Sequence, residues 1–163
     1  MEPRYNVLFL CTGNSARSIM AEAILNRKGN PTFTAYSAGS HPSGFVRLEA
    51  LNQLESAGLP TEGIRSKSWE EFAQRGAPKM NFVFTVCDNA AKETCPVWPG
   101  HPITAHWGVP DPAAVKGTPQ QIERAFREAF MILERRINLF LCLPLASLDK
   151  LAIQTEIDRI GHQ

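Results

Sequence analysis

The sequence has no marked excess of charge of either sign. Its 163 residues include 17 lysines and arginines and 16 aspartates and glutamates, which gives a formal net charge of +1. Nucleic-acid-binding proteins carry a basic excess or a basic face. No apolar run reaches the roughly 18 residues that a membrane-spanning helix needs. We therefore expect no nucleic acid and no membrane among the partners of this protein.

The sequence also lacks the marks of export and of a disulfide-stabilised fold. The apolar part of MEPRYNVLFL leads straight into a polar loop, with no small-residue cleavage site. We therefore expect a cytoplasmic protein, in which thiols stay reduced. Cysteines in such a protein serve as packed apolar side chains, catalysts, redox groups or metal ligands. There are four of them, Cys11, Cys87, Cys95 and Cys142.

Buried strands and amphipathic helices alternate along the chain, without repeats. Apolar runs predict strands at residues 5–10, 33–39, 81–87 and 103–107. Helical spacing predicts helices at residues 15–28, 45–58, 68–76, 119–143 and 147–160, and Pro144 must break the fourth of these. Such alternation predicts one α/β domain, a three-layer fold in which helices flank a four-stranded parallel sheet. Cys142 falls at an apolar helix end, where we expect it to pack.

The stretch from Cys11 to Arg17, CTGNSAR, joins the first strand to the first helix. Gly13 and Asn14 tolerate positive φ, which turns successive N–H groups inward, and the following helix adds its positive end. Arg17 offers a charged planar fork to two oxygens of a tetrahedral oxyanion. The same field should lower the pKa of Cys11 and give a thiolate. The loop thus predicts an oxyanion site with a nucleophile at its floor.

Alternative interpretations of this loop remain. Cysteine and arginine at this spacing also occur as a buried thiol and an unrelated surface charge. The preceding strand, the following helix and the small loop residues favour the oxyanion site. Its expected binding residues are Thr12, Gly13, Asn14, Ser15, Ala16 and Arg17, and Ser18 is expected to donate a hydrogen bond to the thiolate.

Departure of an oxygen from the oxyanion requires an acid, and an aspartate is a usual donor. Asp111 lies in VPDPAAVKG, a loop after the fourth predicted strand, at the sheet edge where Cys11 is expected. An aspartate before proline is also a common turn former. Both roles stay open for Asp111 at this point.

Five stretches together resemble the low-molecular-weight protein tyrosine phosphatase family, and within it the arsenate reductases built on that fold. They are VLFLCTGNSARSIMAEA, SAGS, SKSWEEF, TVCDNAAKETCPVWPG and HWGVPDPA, and the resemblance covers roughly residues 5–136. Phosphatases of this fold carry an aromatic residue after the Asp-Pro pair, where this chain has Ala113 and Ala114. They also generally lack the pair Cys87 and Cys95. Both differences favour the reductase branch.

The resemblance implies a role for each matching residue. Cys11 resembles the nucleophile, Arg17 the oxyanion ligand, Ser18 the thiolate stabiliser and Asp111 the general acid, and Asn14 resembles the residue that shapes the loop. Cys87 and Cys95 resemble the second and third thiols of a relay. In that relay Cys11 attacks arsenate, Cys87 attacks the sulfur of Cys11, and Cys95 then attacks Cys87. No cofactor is tightly bound in such a scheme.

Partners and ions follow from the same resemblance. Arsenate is the implied substrate, phosphate and sulfate are inert oxyanion ligands, and thioredoxin or glutaredoxin with glutathione is the external reductant. The interval from Cys87 to Cys95 is slightly longer than in the best-known thioredoxin-coupled members, which leaves the donor open. Some family members hold potassium, at positions that Asn14, Glu22, Ser37, Ser68 and Glu70 resemble. The two glutamates are equally well interpreted as solvated helix residues.

Three other interpretations compete with the relay. Cys87, Cys95, His101 and His106 are possible zinc ligands, although their spacing matches no compact zinc pattern. The chain can be a phosphatase for phosphotyrosine or small aryl phosphates, an activity that we also expect of a reductase as a weak side reaction. It can also be a non-catalytic oxyanion-binding or redox-sensing module.

Residues 1–143 are the expected phosphatase-like reductase domain, and residues 144–163 an added C-terminal helix of the same domain.

Overall fold

A computed structural model of the chain describes residues 3–88 and 98–163. Its sheet has four strands, β1 (Tyr5–Leu10), β2 (Phe33–Ala38), β3 (Phe82–Thr85) and β4 (Ile103–His106). All pairings are parallel, and the order is β2-β1-β3-β4. The predicted parallel sheet is confirmed. From β1 the chain passes to β2 on one side of β1, and it later forms β3 on the opposite side of β1. In parallel sheets ligands bind where the connections diverge in this way, so the crevice between the carboxyl ends of β1 and β3 is the expected ligand site.

The described residues form four α-helices, α1 (Arg17–Lys28), α2 (Leu48–Ser56), α3 (Pro119–Leu141) and α4 (Lys150–Ile160). Three begin two or three residues later than the sequence predicts. Arg47 directs its N–H to the carbonyl of Ser15, at 2.9 Å, and α2 begins only after that contact. The Asp149 side chain caps α4 by accepting the N–H of Ala152 at 2.8 Å. Specific hydrogen bonds, rather than apolar spacing, thus mark where α2 and α4 begin.

The two faces of the sheet are covered differently. Alternate residues of β1 point to opposite faces, as expected for a strand. Val7 and Phe9 face a large core made with the four helices, whereas Leu8 and Leu10 face a smaller one. The smaller core is closed by Met80, Trp98 and the 3₁₀ turn Trp69–Phe72. This arrangement confirms the predicted three-layer fold.

The C-terminal helix α4 packs against the edge strand β4. Trp107, directly after β4, is fully buried and donates its indole N–H to the carbonyl of Ile157 at 2.9 Å. Cys142 is exposed and ends α3, so the prediction that it packs in the core is wrong. No helix in the described ranges is long and apolar enough to cross a membrane. Cys95, the predicted third thiol, lies outside the described residues.

Candidate active site

Two cysteines lie side by side at the carboxyl edge of the sheet. Cys11 follows β1 and Cys87 lies just beyond β3, and Leu10 pairs with Thr85 in the register of these neighbouring strands. Both thiols are buried, and neither forms a disulfide. The sulfur of Cys87 accepts the backbone N–H of Thr12, the residue after Cys11, at 3.3 Å. The strand pairing therefore brings together two thiols that are far apart in the sequence.

The carbonyl groups of the loop after β1 are bonded to segments outside the loop. Thr12 O accepts the N–H of His41 at 3.0 Å, and Gly13 O accepts the N–H of Ser43, also at 3.0 Å. Ser15 O accepts the N–H of Arg47 at 2.9 Å. Loop acceptors are thus satisfied from outside, which holds the backbone in place.

The N–H groups of the same loop have no such partners. Across residues 3–88 and 98–163, no protein group accepts the backbone N–H of any residue from Gly13 to Ser18. Ala16, at the cap position of α1, offers no side-chain hydrogen bond to the helix end. Folded proteins leave few buried N–H groups unpaired. A row of free donors beside the positive end of a helix is suited to an anion.

Asn14 shapes this loop from within. It is fully buried and has a φ of 45°, as the sequence predicts for a turn toward the anion. Its amide donates to the Ser18 hydroxyl at 2.8 Å and accepts the backbone N–H of Lys67 at 2.8 Å. Because Ser18 accepts from Asn14, its own hydroxyl proton is available to another acceptor. Gly13 does not adopt positive φ, so that expectation is wrong, and Asn14 alone supplies the left-handed turn.

A glycine outside the loop allows the backbone to close up. A Cβ atom on Gly39 would lie 2.4 Å from the carbonyl oxygen of Thr12 and 2.7 Å from that of Cys11. Gly39 is itself fixed, because it donates to Lys67 O at 2.9 Å and accepts the N–H of Trp69 at 2.9 Å. The SAGS stretch therefore needs a glycine at position 39, because the cysteine loop leaves no room for a side chain there.

The pKa of the Cys11 thiol is raised in this arrangement. The hydrogen bond to Cys87 raises the pKa of Cys11 most, and burial raises it further. The charge of Arg17 and the N–H of Thr12 lower the pKa by less. The pKa of Cys11 is therefore raised rather than lowered, because two neighbouring thiols share a buried site. The sequence could not predict this effect without knowing that Cys11 and Cys87 meet.

Arg17 and Asp111 lie together at the rim. Arg17 donates to the carbonyl of Val109 at 2.8 Å, and its other nitrogen lies 3.7 Å from Asp111 Oδ2. Asp111 Oδ1 accepts the N–H of Ala113 at 2.9 Å, so the aspartate does form a turn. Its side chain is 44% exposed and free to meet a ligand. The turn role and the predicted acid role are therefore compatible.

A cleft of about 700 Å³ opens beside these residues. Its walls include Cys87, Arg17 and Asp111, and two histidines, His106 and His162. His106 bonds to Thr85 Oγ1 at 2.8 Å and to Asp88 Oδ1 at 2.9 Å. His162 follows α4, so the C-terminal segment contributes to the cleft. The sequence offered His106 only as a possible zinc ligand and did not identify His162, because the two histidines come from separate segments that only the fold brings together.

Two of the residues implied for potassium already contact a cation of the chain. Glu22 and Ser37 face the ammonium of Lys67, at 3.5 and 3.4 Å. Ser68 Oγ accepts the N–H of Glu70 at the start of a 3₁₀ turn, and Glu70 is exposed. A potassium ion beside Glu22 and Ser37 would meet a like charge, so these residues do not fit it. The described parts of the chain hold no group of three or more His, Cys, Asp or Glu side chains suited to a metal.

Known proteins are similar to this chain in sequence. The family model described as low molecular weight phosphotyrosine protein phosphatase matches residues 6–153. An arsenate reductase of Halalkalibacterium halodurans is 33% identical over 134 residues, covering 82% of this chain and 93% of that protein. These matches confirm the resemblance seen in the sequence motifs.

Solved structures agree as well. A structure titled as an arsenate reductase in the oxidized state superposes with a TM-score of 0.66 at 25% identity, covering 82% of this chain and 93% of that one. The thioredoxin-dependent arsenate reductase of Corynebacterium glutamicum superposes with a TM-score of 0.56 at 22% identity, and shows a shared fold over 85% of this chain but only 64% of that protein. The roles of individual site residues stay predictions. The matched model, the relatives and the fold show that this chain belongs to the low molecular weight phosphotyrosine protein phosphatase family.

Proposed function

We propose that this protein reduces arsenate to arsenite through a relay of its own thiols. The observation that carries the proposal is the contact of Cys11 with Cys87 beside a row of free N–H donors. A phosphatase of this fold needs one thiol, because water can hydrolyse a phosphoryl–cysteine. A reductase needs a second thiol within reach of the first. The similarity to curated arsenate reductases, at 33% identity for one of them, supports the same choice.

In the first step arsenate binds as a tetrahedral oxyanion to the N–H groups of residues 13–18 and to Arg17. The Cys11 thiol proton passes to an arsenate oxygen, and Cys11 Sγ forms a bond to arsenic. Asp111 supplies the proton on the departing oxygen, which leaves as water. Ser18 stabilises negative charge on Cys11 with the hydroxyl proton that Asn14 leaves free. Arsenic is still pentavalent after this step.

In the second step Cys87 Sγ attacks Cys11 Sγ. The sulfur–arsenic bond breaks, and its electron pair stays on arsenic, which becomes trivalent and leaves as arsenite. The Cys87 proton is released, and the two sulfurs form a disulfide. Two electrons thus pass from two thiols to one arsenic, so the step balances. The hydrogen bond between the two thiols supports a direct attack of one sulfur on the other.

The Cys11–Cys87 disulfide must then be reduced. We propose that Cys95 attacks Cys87, which frees Cys11 and forms a second disulfide that an external thiol reduces. Thioredoxin is one candidate donor, since a protein of the same fold is described as thioredoxin-dependent. Glutaredoxin with glutathione is the other. Each donor returns two electrons per arsenite released.

Hydrolysis of aryl phosphates is the second candidate activity, and the family assignment favours it as a side reaction. Phosphate has the same shape and charge as arsenate, and the same loop would bind it. The residues after Asp111 are Pro112 and two alanines, so this chain places no aromatic side chain there. Without that contact we expect weak binding of phosphotyrosine.

Three cysteine variants separate the two activities. Cys11→Ser should abolish arsenate reduction and aryl-phosphate hydrolysis. Cys87→Ser should retain hydrolysis, because water resolves the phosphoryl–cysteine, and should lose arsenate reduction. Cys142→Ser changes an exposed thiol and serves as the matched control, with both activities at the wild-type level. Arsenite release and p-nitrophenol release are measured on the same preparations.

Cys95→Ser tests the third thiol. One exposure to arsenate should release about one arsenite per chain and leave a Cys11–Cys87 disulfide, which peptide mass mapping identifies. Turnover with thioredoxin should then stop. Wild-type arsenate reduction by both Cys87→Ser and Cys95→Ser would refute the relay and leave the phosphatase as the better proposal.

A further inference from the structure

Lys67 is a buried lysine beneath the cysteine loop. Its side chain is 7% exposed. An ammonium carries three protons, and here it meets three oxygens. Nζ lies 3.0 Å from the carbonyl of Arg65, 3.4 Å from Ser37 Oγ and 3.5 Å from Glu22 Oε1. The ammonium thus donates two hydrogen bonds and forms an ion pair with Glu22.

Stability does not explain such a group. Burial lowers the pKa of Lys67, and the charge of Glu22 raises it only in part. Replacement of a buried ion pair by apolar side chains is often neutral or stabilising. The pair of Lys67 with Glu22, whose side chain is only 14% exposed, therefore points to a role other than stability.

The backbone of Lys67 holds the cysteine loop directly. Its N–H donates to Asn14 Oδ1 at 2.8 Å, and its carbonyl accepts the N–H of Gly39 at 2.9 Å. Asn14 is the residue with positive φ that shapes the loop, and Gly39 packs against the carbonyls of Cys11 and Thr12. One residue thus joins the loop, through its backbone, to α1 and β2, through its ammonium.

We propose that Lys67 acts as a built-in monovalent cation, whose ammonium replaces a bound metal ion between Glu22 and Ser37 and thereby positions Asn14 and the oxyanion loop. Lys67 is a positioning residue, since it acts through Asn14. It also neutralises Glu22, which lies five residues after Arg17 on α1, a rise of about 7.5 Å. A bare carboxylate at that distance would oppose a dianion in the loop.

The inference rests on the proposed function only in requiring that the loop binds a tetrahedral oxyanion. Inorganic phosphate is therefore the probe, and its dissociation constant is measured by calorimetry well below the unfolding temperature. Lys67→Met keeps the length of the side chain and removes its charge. We expect phosphate binding at least about tenfold weaker, because a loop displaced by about 1 Å loses most of its complementarity. The unfolding temperature should fall by roughly 6–20 °C, because Glu22 stays buried without a partner.

Lys28→Met is the matched control. Lys28 forms the corresponding pair at the surface, 3.7 Å from Glu134 with both side chains about one third exposed. Surface pairs contribute little, so phosphate affinity and unfolding temperature should stay at the wild-type values. The double variant Glu22→Gln/Lys67→Met removes both buried charges. It should recover at least half of the lost unfolding temperature and keep the weakened phosphate binding.

Lys67→Ala tests the cation role directly. This variant leaves space beside Glu22, Ser37 and the Arg65 carbonyl, and ammonium or potassium ions at about 0.15 M should restore phosphate affinity. Sodium at the same ionic strength should restore less, because it holds its water more tightly. Wild type and Lys28→Met should respond equally to all three salts.

The outcomes distinguish this inference from the proposed function. Failure of wild type to bind phosphate would refute the proposed function. If wild type binds phosphate and Lys67→Met binds it with the same affinity, the role of Lys67 is refuted and the proposed function stays intact. Equal responses of Lys67→Ala to ammonium, potassium and sodium would also refute it, since the lost group would then not be replaceable as a cation.

Discussion

Gly39→Ala should damage the cysteine loop more than its position outside the loop suggests. The new methyl group would lie 2.4 Å from Thr12 O and 2.7 Å from Cys11 O, both of them backbone atoms. Ordinary contact begins near 3.4 Å, so the loop must move by about 1 Å. Gly39 cannot retreat, because hydrogen bonds to Lys67 and Trp69 fix it on both sides. The displacement therefore falls on the residues around Cys11.

The size of the effect follows from that displacement. A shift of about 1 Å in a positioning group costs on the order of 10²-fold in rate. Overpacking of this kind costs about 1–3 kcal/mol of unfolding free energy, which corresponds to roughly 2–12 °C in a chain of this size. The variant should thus remain folded and lose most of its oxyanion chemistry. This combination separates loop damage from general unfolding.

The assay compares aryl-phosphate hydrolysis, phosphate affinity and the unfolding temperature of three proteins. Wild type is the reference, and Gly13→Ala is the contrast, because within residues 3–88 and 98–163 a methyl group there meets only Ser15 Oγ, at 3.7 Å. Gly13→Ala should lose clearly less activity than Gly39→Ala, although Gly13 belongs to the loop itself. A Gly39→Ala variant with wild-type phosphate affinity would refute the steric argument.

Three further predictions concern the thiol pair and its rim. Cys87→Ala should lower the pKa of Cys11, since it removes the hydrogen bond that raises it most, and the pH profile of iodoacetamide alkylation should shift to lower pH; an unchanged or higher inflection would contradict this. Asp111→Asn should cut turnover by roughly 10²–10⁴-fold while phosphate binding changes little, and unchanged turnover would leave Asp111 as a turn former. Phosphate at 100 times its dissociation constant should add about 2.7 kcal/mol of stability, or roughly 5–11 °C. Arg17→Ala should reduce this stabilisation sharply. If phosphate raises the unfolding temperature of the variant as much as that of wild type, Arg17 is not an oxyanion ligand.

Local sequence patterns predicted the architecture well. Apolar runs identified all four strands, and helical spacing identified the four α-helices of the described residues. Parallel pairing then placed Cys11 and Cys87 at one edge of the sheet. These features depend on interactions between residues that are near in sequence or on the topology that short connections impose.

The electrostatics of the site could not be predicted in the same way. The sequence suggested a lowered pKa at Cys11, but the hydrogen bond with Cys87, which lies just beyond β3, raises that pKa. Lys67 showed no pattern, because its partners Glu22 and Ser37 belong to α1 and β2. Charges and protonation depend on side chains that only the folded chain brings together.

The helix α4 also has a consequence for how copies of this protein meet. Strand β4 lies at one edge of the sheet, where free peptide groups can pair with a strand of another molecule. Gln154, on α4, donates an amide N–H to the carbonyl of Thr104 at 2.9 Å. Gly161, directly after α4, packs so closely on β4 that a Cβ atom there would lie 2.6 Å from His106 O. Two acceptors of the edge are therefore covered from within the chain. Protection against edge-to-edge aggregation is thus built into the same segment that brings His162 to the cleft.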